Sequence, residues 1–211
     1  WVVISNAQES TSTYNILKMP TSAHVMALGG ENISVIEDSP TIGWSNPALY
    51  TCTSNNTFGL NFTTNTNNSK WMGAQYIKAF GERHTGAISA NYLSYGSMLE
   101  TDISGNTLGK FTPKDIVINI GYSYLFSEKW AGGAALKYVY SKYAEYSAMA
   151  IAVDLGLNYY DEEKDLSIST VVQNIGTQIK AFDDRTAHLP FGIQIGFTKG
   201  MNHAPIRFSL T

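Results

Sequence analysis

The sequence is poor in cysteine and in charge. Cys52 is the single cysteine among 211 residues, which excludes an intrachain disulfide and a CxxC metal site. Charged residues make up 15% of the chain, well below the value of about a quarter that is usual for soluble domains. The net charge is -3, and the few basic residues form no stripe. We therefore expect no nucleic-acid partner.

The sequence also lacks a long hydrophobic run and a recognisable catalytic constellation. No segment approaches the roughly 20 apolar residues that a transmembrane helix needs. Membrane-spanning β-strands are shorter and only half apolar, so they stay compatible with this pattern. Histidines occur in four separate segments without metal-ligand spacing, at His24, His84, His188 and His203. We predict no catalytic residue, no metal site, no cofactor and no enzymatic activity.

What the sequence does contain is regular alternation of apolar and polar residues. Residues 148–160 read AMAIAVDLGLNYY. Because successive side chains of a strand point to opposite faces, this segment predicts one apolar and one small or polar wall. Asp154 and Asn158 fall on the polar wall. The apolar wall carries Met149, Ile151, Val153, Leu155, Leu157 and Tyr159.

The same alternation continues in segments of about ten residues from about Phe58 to Thr211, giving about nine strands. Polar turns are short at 127–129, 161–165 and 199–205, whereas longer connections run over 95–115 and 175–189. Bacterial outer-membrane barrels have short periplasmic turns and longer outer loops. This places Glu128, Glu162 and Asn202 on the periplasmic side and Gly105 and Asp184 outside.

The predicted fold class is all-β: an antiparallel transmembrane β-barrel preceded by a plug segment. The chain ends within an alternating run, IRFSLT, and an unpaired strand edge in lipid is costly. We therefore expect a fragment of a larger barrel. We expect residues 1–7 (WVVISNA) to be the remnant of a signal peptide, residues 8–50 to form an N-terminal plug, and residues 51–211 to supply barrel strands.

The predicted plug is rich in small and turn-forming residues. Residues 20–30 read PTSAHVMALGG, residues 37–40 EDSP and residues 44–49 WSNPAL. Small residues allow close backbone packing, and Asp, Asn and Pro favour turns. The residues that define this plug motif are Gly29, Gly30, Asp38, Trp44, Asn46, Pro47 and Ala48.

These motifs resemble the PorV/PorQ group of Bacteroidetes outer-membrane proteins, which are similar to FadL-type barrels. The resemblance runs from about Ser12 to Thr211 and is closest to PorQ-like members. The segments that carry this likeness are ETDISGN at 100–106, YSKYAEYS at 140–147, VDLGLNYY at 153–160 and LPF at 189–191. It implies a full barrel of about fourteen strands, within the range of bacterial outer-membrane barrels.

The resemblance further implies a role in the type IX secretion system of the bacterial outer membrane. PorQ-like barrels there hold a surface protein of the PorZ kind within the PorU/PorV attachment complex, so the implied partners are this complex and membrane lipid. Recognition usually lies on loops of a rigid scaffold. Our candidate docking surfaces are the outer loops 95–115 and 175–189. The first is the better candidate, with Met98, Leu99, Gly105, Asn106 and Phe111.

Two other functions fit parts of the sequence. A FadL-like channel for a hydrophobic small molecule would have a similar plug but an apolar lumen, whereas the predicted inner faces are polar. These inner residues are Asn119, Ser123, Asn158, Gln173 and Gln194. A soluble β-sandwich or lipocalin-like binder would turn its Ile and Phe faces inward, leaving too much interior to fill at this strand number.

Overall fold

The computed structural model describes residues 14–21, 23–64, 68–101, 104, 106–182, 187–201 and 206–211. The predicted signal-peptide remnant and Gly105, Asp184 and Asn202 lie outside these ranges. Within them, the helices are all too short or too polar to cross a membrane.

In the described part of the chain, eleven strands follow an irregular N-terminal segment. That segment contains one short α-helix, α1 (Ala23–Ala27), and 3₁₀ turns at Asn15–Lys18, Ile42–Trp44 and Pro47–Cys52. The strands are β1 (Thr57–Thr64), β2 (Lys70–Ala79), β3 (His84–Ser94), β4 (Met98–Thr101), β5 (Thr107–Phe111), β6 (Lys114–Leu125), β7 (Trp130–Tyr143), β8 (Tyr146–Asp161), β9 (Leu166–Lys180), β10 (Gly192–Gly200) and β11 (Arg207–Leu210).

Nine strands form one antiparallel sheet in the order β1-β2-β3-β6-β7-β8-β9-β10-β11. Each strand pairs with its neighbour along the chain, except that the β4–β5 hairpin is inserted between β3 and β6 as a separate two-stranded sheet. The all-β antiparallel prediction is thus confirmed. β1 and β11 form the edges of the sheet in the described part of the chain, so closure into a barrel stays a prediction.

The two faces of the sheet follow the predicted alternation. On β8, Ala150, Ala152 and Asp154 are fully buried. Leu155 and Leu157, on the opposite face, are 48% and 41% exposed. The polar inward residues are therefore covered while the apolar outward residues are open, which is the reverse of a soluble sheet with one solvated face.

The inward face is covered by the N-terminal segment, which also completes the largest hydrophobic cluster. The cluster contains Ile16 and Leu17 from the first 3₁₀ turn, together with Trp44. These residues pack against inward-facing residues of five strands, β2, β3, β6, β7 and β8. The wall residues in this cluster are Trp71, Leu93, Val117, Val139, Ala148, Ala150 and Ala152. This cluster fixes the segment against the sheet.

Two predicted loops are more ordered than expected. The 95–115 connection contains the β4–β5 hairpin, and β9 continues to Lys180 although a loop was predicted from Ile175. Asn174 adopts a positive φ of 56°, and the pairing of β8 with β9 shifts register opposite it. This β-bulge shifts the alternation of inward and outward residues by one position, although the strand itself continues.

Candidate functional site

The buried surface between the N-terminal segment and the sheet contains most of the predicted plug motif. Residues 41–50 are all buried. The 3₁₀ turn Pro47–Cys52 contacts β3, β6, β7 and β8. Hydrogen bonds also join this segment to later strands: Gln173 Nε2 donates to the Ser45 carbonyl at 2.8 Å, and the Ser34 and Thr198 hydroxyls lie 2.8 Å apart.

Asn46 organises the turn that enters this surface. Its side-chain oxygen accepts a hydrogen bond from the Ala48 N–H at 3.0 Å, which caps the 3₁₀ turn. Its Nδ2 donates to the Ile33 carbonyl at 2.9 Å. Pro47 occupies the first position of the turn, where a missing N–H costs nothing. The Asn46-Pro47-Ala48 sequence therefore forms a buried cap of the 3₁₀ turn. It also links this turn to Ile33, earlier in the same N-terminal segment.

Glycines in the strands make room for that turn. A Cβ on Gly133 would lie 2.4 Å from the Pro47 carbonyl carbon, and one on Gly156 would lie 2.1 Å from Asn46 Oδ1. The backbone of the N-terminal segment therefore rests directly on β7 and β8. Larger residues at these two positions would displace the segment.

Tyr50 fills a second recess in the inward face. A Cβ on Gly121 would lie 2.3 Å from the Tyr50 ring. The Tyr50 hydroxyl accepts a hydrogen bond from Asn119 Nδ2 at 3.0 Å. Burial raises the pKa of Tyr50 above its ordinary value, so the phenol stays neutral and cannot act as a base at neutral pH.

The central feature of the inward face is a buried ion pair between Lys137 on β7 and Asp154 on β8. Both side chains are almost completely buried. The Trp44 ring covers the ammonium, with Lys137 Nζ 4.4 Å from the ring centroid. Asp154 Oδ1 also accepts the Asn174 N–H at 2.7 Å. The alternation places Lys137 and Asp154 on one face, but their pairing depends on strand register and was not predicted.

Gly29 and Gly30 do not have the predicted role of close packing. They follow α1 with φ angles of 101° and 88°, and the Gly30 N–H donates to the Val25 carbonyl at 2.9 Å. A Cβ on Gly29 would meet no atom within 4 Å. The prediction of close packing here is wrong, because these glycines supply the left-handed conformation that ends the helix.

Asp38 is exposed and joins the middle of the covering segment to its C-terminal end. It accepts hydrogen bonds from the Ser54 N–H, at 2.7 Å, and from the Ser54 hydroxyl. Both bonds hold the pKa of Asp38 below its ordinary value. Asp38 thus makes a contact with a residue sixteen positions later, and it lies apart from the buried group around Asn46.

The candidate docking loop is a projecting hairpin. Met98 of β4 is paired with Phe111 of β5, so the structure brings these two predicted residues together. Leu99 is 59% exposed, and Leu108, which the sequence analysis did not single out, is 66% exposed. Asn106 is exposed near the tip. This short hairpin thus exposes apolar side chains on both of its faces.

Among the described residues, no group of three or more His, Cys, Asp or Glu side chains is arranged to hold a metal ion. The chain matches no family model and no curated protein sequence. The resemblance to the PorV/PorQ group therefore rests on the sequence motifs alone.

Proposed function

We propose that this chain forms the wall and plug of an outer-membrane β-barrel, with its apolar face in lipid. The observation that carries the proposal is an exposed apolar surface on all nine strands of the sheet, opposite a face whose polar side chains are buried. The exposed residues include Phe58, Leu60, Phe62, Met72, Ile88, Ile118, Ile120, Leu136, Leu155, Leu157, Ile168, Ile193, Ile195, Phe197, Phe208 and Leu210. Monomeric soluble proteins rarely expose contiguous apolar patches of this extent.

The height of the apolar surface supports the same proposal. Aromatic residues cluster at the end of the sheet where β6 turns into β7, as in the contact between Trp130 and Tyr159, with ring centroids 5.1 Å apart. Tyr140 lies ten residues after Trp130 on the same face of β7. At about 3.4 Å per residue and a strand tilt of about 40°, this separation spans about 26 Å of height. Barrels carry an apolar band of about 25 Å between two aromatic girdles.

Within the membrane, we propose that the protein serves as an anchor for a surface protein of the PorZ kind in the type IX secretion and attachment machinery. The plug motif around Asn46 and the four quoted sequence segments support the family assignment. The exposed β4–β5 hairpin supports the docking role, because interfaces usually depend on a small cluster of apolar anchors. Catalysis then belongs to the partners.

The docking role predicts a selective effect of substitutions in the hairpin. Replacing Met98, Leu99 and Phe111 together with Ser should leave the barrel folded but release the PorZ-like partner in a detergent pull-down. The reason is that this change removes the apolar anchors and leaves the strand pairing. A matched triple variant, in which Glu100, Thr107 and Lys110 of the same hairpin become Ser, should retain the partner. Full partner retention by the first variant, with normal surface attachment of cargo, would rule out this hairpin as the docking site.

A further inference from the structure

The orientation of the β4–β5 hairpin depends on the contacts at its base. In the described part of the chain, β4 and β5 pair with each other and with no strand of the nine-stranded sheet. Every residue of β4 is exposed. A two-stranded hairpin without further support is only marginally stable in water. The direction in which this hairpin projects must therefore be fixed where it joins β3 and β6.

Tyr95 closes this base with two hydrogen bonds. It follows β3 directly, and its N–H donates to the carbonyl of Pro113, the residue before β6, at 3.0 Å. Its hydroxyl donates to Asp115 Oδ2 at 2.6 Å. The next residue, Gly96, has a φ of 83°, a left-handed conformation in which the chain turns away toward β4. Tyr95 thus joins the chain that enters the hairpin to the chain that leaves it.

Asp115 is a fixed acceptor for the Tyr95 hydroxyl. It is the second residue of β6, where it pairs with Leu93 of β3 and with Ser141 of β7. Its side chain is buried. Because strands flank it on both sides, its backbone cannot move with the hairpin. A hydrogen bond from a hydroxyl to a carboxylate is about twice as strong as one between neutral groups. Asp115 therefore anchors Tyr95 to the wall of the sheet.

Aromatic contacts place the hairpin base beside the second predicted outer loop. The rings of Tyr95 and Tyr143, at the end of β7, have centroids 5.8 Å apart. Tyr143 in turn meets Phe182 edge-to-face at 5.1 Å, and Phe182 lies in the connection between β9 and β10. Tyr95 and Phe182 both pack against the buried cluster that contains Tyr14 of the N-terminal segment. One group of side chains thus connects the hairpin, the second loop and the covering segment.

We propose that Tyr95 and Asp115 are positioning residues, which hold the docking hairpin in one orientation beside the second outer loop. This inference rests on the proposed docking function and adds the residues that preorganise the docking surface. A surface that is ordered before binding loses less conformational freedom when the partner arrives. Without the Tyr95 hydroxyl the hairpin samples several orientations, and only a fraction of the molecules can bind the partner.

Distances between two spin labels test the orientation of the hairpin. In the full chain with Cys52 replaced by Ser, one label is attached at Leu108 of β5 and the other at Ile179 of β9, both of which are exposed. Double electron–electron resonance then gives the distribution of distances between them. The wild-type background should give a narrow distribution. Tyr95→Phe should broaden it, because this change removes the hydroxyl and keeps the ring.

Tyr143→Phe provides the matched control. The Tyr143 hydroxyl donates to the same Asp115 oxygen, but at 3.4 Å and from β7, outside the hairpin connection. This variant should keep the narrow distribution. A merely structural role would give equal results in the two variants, since each removes one hydroxyl from the same carboxylate. In unlabelled protein, Tyr95→Phe should weaken partner binding by about tenfold, the effect of one hydrogen bond to a charged group, whereas Tyr143→Phe should not.

The outcomes separate this inference from the proposed function. The spin-label measurement needs no partner, so an equally narrow distribution in the wild type and in Tyr95→Phe would overturn the positioning role alone. Equal broadening by both Phe substitutions, or a broad distribution already in the wild type, would overturn it as well. Broadening by Tyr95→Phe with unchanged partner binding would contradict both the positioning role and docking through this hairpin.

Discussion

Replacing Lys137 with Met should lower the free energy of unfolding by about 3–5 kcal/mol, the range found when one partner of a buried ion pair is removed. The cause is the carboxylate left behind. Asp154 is fully buried and would keep only the Asn174 N–H as a partner. The same variant also removes the cation from beneath the Trp44 ring. Denaturant titration of the protein in lipid, followed by tryptophan fluorescence, measures the change.

A double variant serves as the control for this prediction. Changing Asp154 to Asn in the Lys137→Met background removes the unpaired charge but keeps an oxygen that can accept the Asn174 N–H. The double variant should recover most of the lost stability. Equal destabilisation of the single and double variants would show that the buried charge is not the cause.

Arginine at Val153 should reduce folding stability in a bilayer by about 2–4 kcal/mol, the cost of a cation on the lipid face near mid-membrane. Val153 lies at the middle of β8 on the outward face, opposite Leu136 of β7. In a soluble protein the same substitution on an open sheet surface would change stability by no more than about 0.5 kcal/mol. The effect therefore distinguishes a lipid-facing surface from a water-facing one.

Ser147 offers a matched control for the substitution at Val153. It lies on the same strand and the same face, but next to the turn that connects β7 to β8. Arginine there should cost only about 0–1 kcal/mol, because the penalty falls toward the membrane interface. Folding into vesicles under urea, measured for both variants, gives the comparison. Equal effects at the two positions would contradict the predicted depth dependence.

The strand faces could be predicted from the sequence because the side-chain period of a strand is two residues. Residues 148–158 keep that period, and the structure places each of them on the predicted face. The end of β9 could not be predicted, because the positive φ of Asn174 shifts the pattern by one residue. A local bulge is invisible to a pattern that assumes unbroken alternation.

The inner site was only partly predictable for a different reason. Asn46 and Pro47 were recognised as turn formers from their local chemistry, and the structure gives them that role. The ion pair between Lys137 and Asp154 depends on how β7 aligns with β8, and the recesses for the turn depend on glycines far away in sequence. Such contacts follow from register and not from local composition.

The central claim is that the exposed apolar face of the sheet lies in lipid, and cysteine labelling tests it most directly. With Cys52 replaced by Ser, single cysteines at Ile120 and Leu155 probe the outward face, and one at Ala152 probes the buried face. In intact vesicles, the two outward cysteines should react with a lipid-soluble maleimide and not with a water-soluble one. The Ala152 position should react with neither until the protein is unfolded. Rapid reaction of the outward cysteines with the water-soluble reagent in folded protein would contradict the claim.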